Sequence, residues 1–317
     1  MGLLAVIRAN LFATTVAIFT LPEASAPLVV VVGLAGLGAL LGRKRALRGT
    51  TLVAPWHWSL VSLLAIVGCE VLVAGGASPA PEWVAPLRFV AAMSTFCPIM
   101  ALLGAKRPQD RAWQFIVFSL WVVLSLPAGE WLLFGGVQEL HPAHFWFLVL
   151  LTGVGAANGI STRFWLSGLL YCAGQLALVG RYLGTMPALA ANDWAPLAGV
   201  SALVLAWSLV ALGVPPPRRA DNPLDRVWRD FRDAFGAVWA LRVAERINSA
   251  ATMYCWPVRL DWRGFRNAAT HEPVDEVPAV VVESLRSLLR RFVSPEWIDA
   301  RLGSQSRQSD QEVPIAF

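Results

Sequence analysis

Long apolar stretches with few interruptions dominate residues 1–214, whereas shorter periodicities govern the chain beyond them. About 20 consecutive apolar residues carry a helix across the hydrocarbon core of a bilayer. Eight segments approach that length, at 3–22, 26–42, 57–76, 83–104, 113–134, 143–160, 164–181 and 195–214. They predict an all-α polytopic bundle of eight transmembrane helices over residues 1–214. The first segment has a second reading, because Arg8, an apolar run and Ala24-Ser25-Ala26 imitate a signal peptide with its cleavage site. Pro27 directly after the cut disfavours cleavage, so a retained helix is the expectation.

Pro215-Pro216-Pro217 ends the apolar pattern. Asn222 followed by Pro223 has the form of a helix start. From there Val227, Phe231, Phe235, Trp239, Val243 and Ile247 recur at every fourth position, predicting an amphipathic helix of roughly 25 residues. Val258, Leu260 and Trp262 alternate with Arg259, Asp261 and Arg263, the period of a half-buried strand. One strand needs a sheet partner, so a second short strand or a dimer is implied. Val281, Leu285, Leu288, Leu289 and Phe292 mark another amphipathic helix, and Ser294-Pro295-Glu296 opens a short one ending at Gly303. The expectation is a small cytoplasmic α+β domain over 215–303, followed by a disordered tail over 304–317.

Charge sharpens this division. Of 317 residues only 15% are charged, against about 25% in a soluble chain. Residues 1–214 hold 11 Lys/Arg and 7 Asp/Glu, leaving 15 of the 26 basic and 14 of the 21 acidic groups for residues 215–317. The loops after segments two, four and six carry Arg43-Lys44-Arg45 with Arg48, Lys106-Arg107 with Arg111, and Arg163. Those after segments one, three and five carry no Lys or Arg, and the one after seven has only Arg181. Cytoplasmic loops are the ones rich in Lys and Arg, so both termini are expected in the cytoplasm of a bacterial inner-membrane protein. The net +5 is therefore chiefly a record of topology, and near-equal acidic and basic counts in the tail exclude a nucleic-acid site.

Aromatic side chains at Trp56, Trp58, Trp83, Trp113, Trp131, Trp165 and Trp194 lie near predicted helix ends, where interfacial anchors belong. Gly33, Gly36, Gly38, Gly42, Gly153, Gly155 and Gly159 mark expected helix contacts.

The sharpest chemistry is intramembrane charge. Glu70, Arg88 and Glu130 fall in the outer half of segments three, four and five, with His144 at the adjacent helix start and Tyr171 and Gln175 at mid-depth in segment seven. Two readings stand. In one, Glu70, Arg88, Glu130 and His144 line an outward-facing polar cavity in which Arg88 holds an anionic group and a carboxylate or His carries a proton. In the other, Arg88 pairs with Glu70 or Glu130 as a structural link. Met93, Cys97 and Met100 share a helix face that soft Cu(I) would accept, but ordinary core packing explains them as well. His141 and His144 lack a partner histidine at matched depth for a haem. No cofactor or metal is expected. Nucleotide-binding and hydrolase motifs such as G-x-x-x-x-G-K-[ST] and G-x-S-x-G are absent, which removes an ATPase subunit.

Three functions follow. Solute translocation through the polar cavity leads, although no internal repeat of the transporter kind is visible. A non-catalytic assembly, scaffold or sensor protein, recruiting a cytoplasmic partner or a second copy through residues 224–292, comes next. A membrane-embedded enzyme using Glu130 or His144 is third.

Overall fold

The computed structural model describes residues 25–74, 81–134, 140–183, 194–217, 222–274 and 276–303. The chain is mostly helical. Ser25–Arg43 forms α1, Val53–Ala74 α2, Pro81–Ser94 α3, Cys97–Leu103 α4, Asp110–Phe134 α5, Pro142–Ile160 α6, Trp165–Val179 α7 and Ala195–Leu212 α8. Pro223–Met253 forms α9, followed by β1 (Val258–Asp261), β2 (Gly264–Asn267), α10 (Ala279–Leu289) and α11 (Pro295–Leu302).

Six spans among the described residues are long and apolar enough to cross a membrane, against the eight expected. Segment 3–22 and the tail 304–317, expected to be disordered, lie outside the described residues. The seventh segment is α7, only 15 residues long, although a 3-10 turn over Gly180–Tyr182 continues it. The span Trp83–Leu103 is interrupted, with α3 ending at Ser94 and α4 beginning at Cys97-Pro98. Apolar side chains such as Phe115, Leu133, Phe134, Trp146 and Leu212 project outward from the bundle, as helices facing lipid require.

Small residues set the closest helix approaches. Gly174 of α7 and Gly199 of α8 face one another so closely that a Cβ on Gly174 would lie 2.8 Å from the Gly199 carbonyl. Gly33, Gly36, Gly155 and Gly159 also sit at contacts, whereas Gly38, Gly42 and Gly153 face open space. Three of the seven expected contacts are thus absent, because a small residue allows close approach without compelling it.

Tryptophans depart from expectation in a similar way. Trp83, Trp165 and Trp194 are exposed, but Trp56, Trp58 and Trp113 turn inward. The indole N–H of Trp56 donates to Leu40 O (2.8 Å), that of Trp58 to Gln114 Oε1 (2.7 Å) and that of Trp113 to Met100 O (2.8 Å). A buried indole needs an acceptor, and these tie one helix to the next.

Two apolar clusters divide the chain. One is built from residues 29–203, the other from Ala105 and residues 224–298. The stripe predicted on the amphipathic helix lies in the second cluster, with Val227, Phe231, Phe235 and Ile247 essentially inaccessible and Trp228, outside the stripe, buried beside them. The helix is longer than predicted, 31 residues, and it is kinked at Gly236. The second strand is supplied by the chain itself. β1 and β2 pair antiparallel with Val258 opposite Asn267. Asn248 of α9 clips this hairpin by accepting from Leu260 N (2.8 Å) and donating to Leu260 O (3.0 Å).

The C-terminal part docks on the bundle end that carries the basic loops. Thr51 N donates to Phe292 O (2.9 Å), Ser294 N to Gly49 O (2.6 Å) and Arg107 N to Arg291 O (2.8 Å). Trp239 Nε1 donates to Leu102 O (2.9 Å) and Trp262 Nε1 to Ser161 O (3.2 Å).

Candidate functional site

Of the four residues expected to line a cavity, the structure brings two together. Arg88 Nε donates to Glu70 Oε1 (2.8 Å) and Arg88 Nη2 to Glu70 Oε2 (2.6 Å), a bidentate pair. Glu70 is 3% exposed. The void beside the pair measures about 20 Å³ and is bordered by Cys69, Arg181 and Tyr182. That is room for one water. Tyr182 is held at its edge, packed against Phe89 and Trp131 and donating its hydroxyl to Ala85 O (3.0 Å). The pair forms without Glu130, whose side chain is exposed, and without His144, half-buried in the first turn of α6. Neither borders the void. His141 caps α6, its Nδ1 accepting from Ala143 N (3.3 Å). Met93, Cys97 and Met100 are packed in the apolar core.

The interruption between α3 and α4 creates a second polar locus. Pro98 has no N–H, so the Ser94 carbonyl loses its helical donor. The Ser62 hydroxyl of α2 lies 2.6 Å from Ser94 O and 2.8 Å from Trp58 O, so its one proton can serve Ser94 O in place of that donor. Thr95 O accepts from the Tyr171 hydroxyl (2.6 Å) and from Gln175 Nε2 (3.0 Å), both on α7. Carbonyls freed at membrane depth require such partners.

A large polar cavity opens at the opposite end from the Glu70–Arg88 pair. It measures about 360 Å³ and lies between the basic-loop end of the bundle and the C-terminal part. Its inner end is formed by Ile99, Ser167, Tyr171, Cys172 and Trp207. Arg43 and Arg163 border it from the loops, and Asp230, Asp233 and Arg301 from α9 and α11. Arg301 Nε donates to Asp230 Oδ2 (2.8 Å), and Arg232 Nη2 to Asp233 Oδ1 (2.8 Å). Buried within the described residues, Ser167 Oγ and Arg163 Nε have no hydrogen-bond partner.

One helix face joins these features. Ser167, Tyr171 and Gln175 follow at four-residue spacing along α7, and Leu178 and Tyr182 continue past them. Ser167 and Tyr171 border the large cavity, while Leu178 and Tyr182 border the small void. Along this face the Tyr171–Thr95–Gln175 belt lies between the two. Sequence reasoning noted Tyr171 and Gln175 for depth alone and passed over Ser167, although the polar stripe in an apolar helix was the available signal. Asn158 was also missed. Its Oδ1 accepts from Val238 N (2.9 Å), capping the second half of the kinked α9 from within the bundle.

The chain matches no protein-family model, no curated protein and no solved structure.

Proposed function

We propose that this is an inner-membrane protein that translocates a small solute, held in a state open to the cytoplasm and closed on the outer side. The basic loops support a cytoplasmic side for the large cavity and for the C-terminal part that roofs it. The observation that carries the reading is the single face of α7 bordering a ligand-sized cavity at one end and a water-sized void at the other. A volume of about 360 Å³ falls within the range of small-molecule sites. An interrupted helix at the barrier between them is where transporters place their substrate contacts. In this reading Glu70 and Arg88 form the outer seal rather than an open outer cavity, and solute would pass them when the pair parts. Glu130 and His144 then belong to the outer approach.

The reading of the C-terminal part as a recruiting surface has less support. The apolar stripe that suggested it is buried in its own cluster.

The experiment is uptake by proteoliposomes of a mixed small-molecule extract of the host cell, followed by mass spectrometry of the vesicle contents. Enrichment of a solute over protein-free vesicles, lost when Val210→Trp fills the cavity, supports the reading. Contents indistinguishable from those of protein-free vesicles refute it.

A further inference from the structure

We infer that the ligand of the large cavity is a small amphiphilic anion, an apolar body carrying one carboxylate or phosphate group. The inference rests on the cavity assigned above and adds the chemistry of its occupant.

Charge is the first argument. Asp230 and Asp233 border the cavity, but each is already bound by an arginine, Asp230 by Arg301 and Asp233 by Arg232. Among the described residues, two cations that border the cavity have guanidinium groups with no carboxylate at hydrogen-bonding distance, Arg43 and Arg163. The Nε of Arg163 lies 3.9 Å from Asp233 Oδ2, beyond hydrogen-bonding distance, and is buried with no partner. Its guanidinium stacks over the Phe164 ring at 4.4 Å, which fixes it at the cavity wall. A buried guanidinium N–H without an acceptor is costly, and a ligand oxyanion would satisfy it.

Depth is the second argument. Ser167, one turn further along α7 and 5% exposed, presents a hydroxyl with no partner in the described residues. It can donate to the same head group. Beyond it the cavity is walled by Ile99, Trp207, Val210 and the ring of Tyr171, whose hydroxyl is occupied by Thr95 O. Donors lie at the mouth and apolar surface inside, so the head group binds at the Arg43–Arg163 end and the apolar body points towards the broken helix. A cation would meet the guanidinium groups of Arg43 and Arg163 there, Arg163 only loosely paired with Asp233 at 3.9 Å, and a sugar would leave the inner wall unmatched.

A photoactivatable octanoate tests this on the full-length protein in nanodiscs of zwitterionic lipid, with adducts mapped by mass spectrometry. Adducts in residues 158–172 and 206–210 are expected, displaced by unlabelled octanoate and unaffected by octyltrimethylammonium. Arg163→Gln is expected to lower labelling there about tenfold or more at fixed probe concentration, the factor for losing one hydrogen bond to a charged group. Octanol gives the effect of the apolar body alone and should compete weakly. Adducts spread over the lipid-facing helices, or labelling displaced equally by the cationic probe, would overturn the inference. Adding phosphatidylglycerol to the nanodisc separates the two sources of such an anion. If it competes, the occupant is a bilayer lipid; if it does not, a soluble organic acid. Specific cavity labelling without vesicle uptake would retain the ligand and remove translocation. Uptake of a neutral or cationic solute, with no cavity labelling, would do the reverse.

Discussion

Replacing Gly236 by alanine should loosen the C-terminal part from the bundle. Gly236 adopts φ +81° and ψ −178°, inside α9 but far from helical geometry. That region is essentially limited to glycine, and an L side chain there costs on the order of 1–3 kcal/mol. The new Cβ would also overlap the carboxamide of Asn158, whose terminal atoms are its nearest neighbours. If Asn158 moves aside, Val238 N–H loses the acceptor 2.9 Å away. Losing a helix cap adds about 0.5–2 kcal/mol. The sum is about 1.5–5 kcal/mol, and local opening governed by that free energy should raise amide exchange at Val238 by roughly ten- to several-thousand-fold. Hydrogen exchange read by mass spectrometry over residues 236–242 is the assay. Asn158→Ala alone should raise exchange by roughly fivefold, the equivalent of about 1 kcal/mol. The two changes together should fall short of the product of their separate effects, because Asn158→Ala removes the overlap. Exchange at Val238 within twofold of the native protein in Gly236→Ala would refute the coupling of bundle and tail through Asn158.

Other consequences can be checked on purified protein. Arg88→Met leaves Glu70 buried without its partner and should cost about 3–5 kcal/mol, whereas Arg88→Met with Glu70→Met should recover most of it; thermal unfolding in detergent distinguishes them. Pro98→Ala returns a backbone donor to Ser94 O, so Ser62→Ala should cost less in that background than in the native chain, again by thermal unfolding. The Ser294 hydroxyl holds the Glu296 carboxyl below its ordinary value of 4.5, at the start of α11. Its contribution is therefore present above pH 4.5 and is lost as the pH falls through the lowered value. Glu296→Gln should flatten that part of the stability profile, measured by unfolding between pH 3 and 6.

The sequence was informative where one physical constraint dominates. Apolar length alone locates the six spans long and apolar enough to cross a membrane, and the four-residue recurrence from Val227 to Ile247 gives α9, because each signal is set by burial along a single element. Pairing across elements is another matter. Depth placed Arg88 near both Glu70 and Glu130, but only the rotation of α5 decides that Glu130 faces outward. The break before Pro98 stayed hidden inside segment 83–104 because its apolar run continues through it, and hydropathy does not register a missing N–H. Gly236 sits in a helix-period pattern with nothing local to mark a kink. Its conformation follows from Asn158, nearly 80 residues earlier, so no window of sequence contains both. The large cavity escaped notice for the same reason, since α1, α4, α6, α7, α8, α9 and α11 each contribute only a few of its residues.

The central claim is that one face of α7 connects two compartments, and native cysteines report on both. Cys172 borders the large cavity, Cys69 the void beside Glu70 and Arg88, and Cys97 is sealed in the core. Exposed Cys255 marks the side occupied by the C-terminal part. In proteoliposomes treated with a small, charged, membrane-impermeant thiol reagent from one side or the other, Cys172 should react from the same side as Cys255. Cys69 should react only from the opposite side, and more slowly, while Cys97 reacts from neither. Reaction of Cys69 and Cys172 from one and the same side, or of neither from any side, would contradict the account.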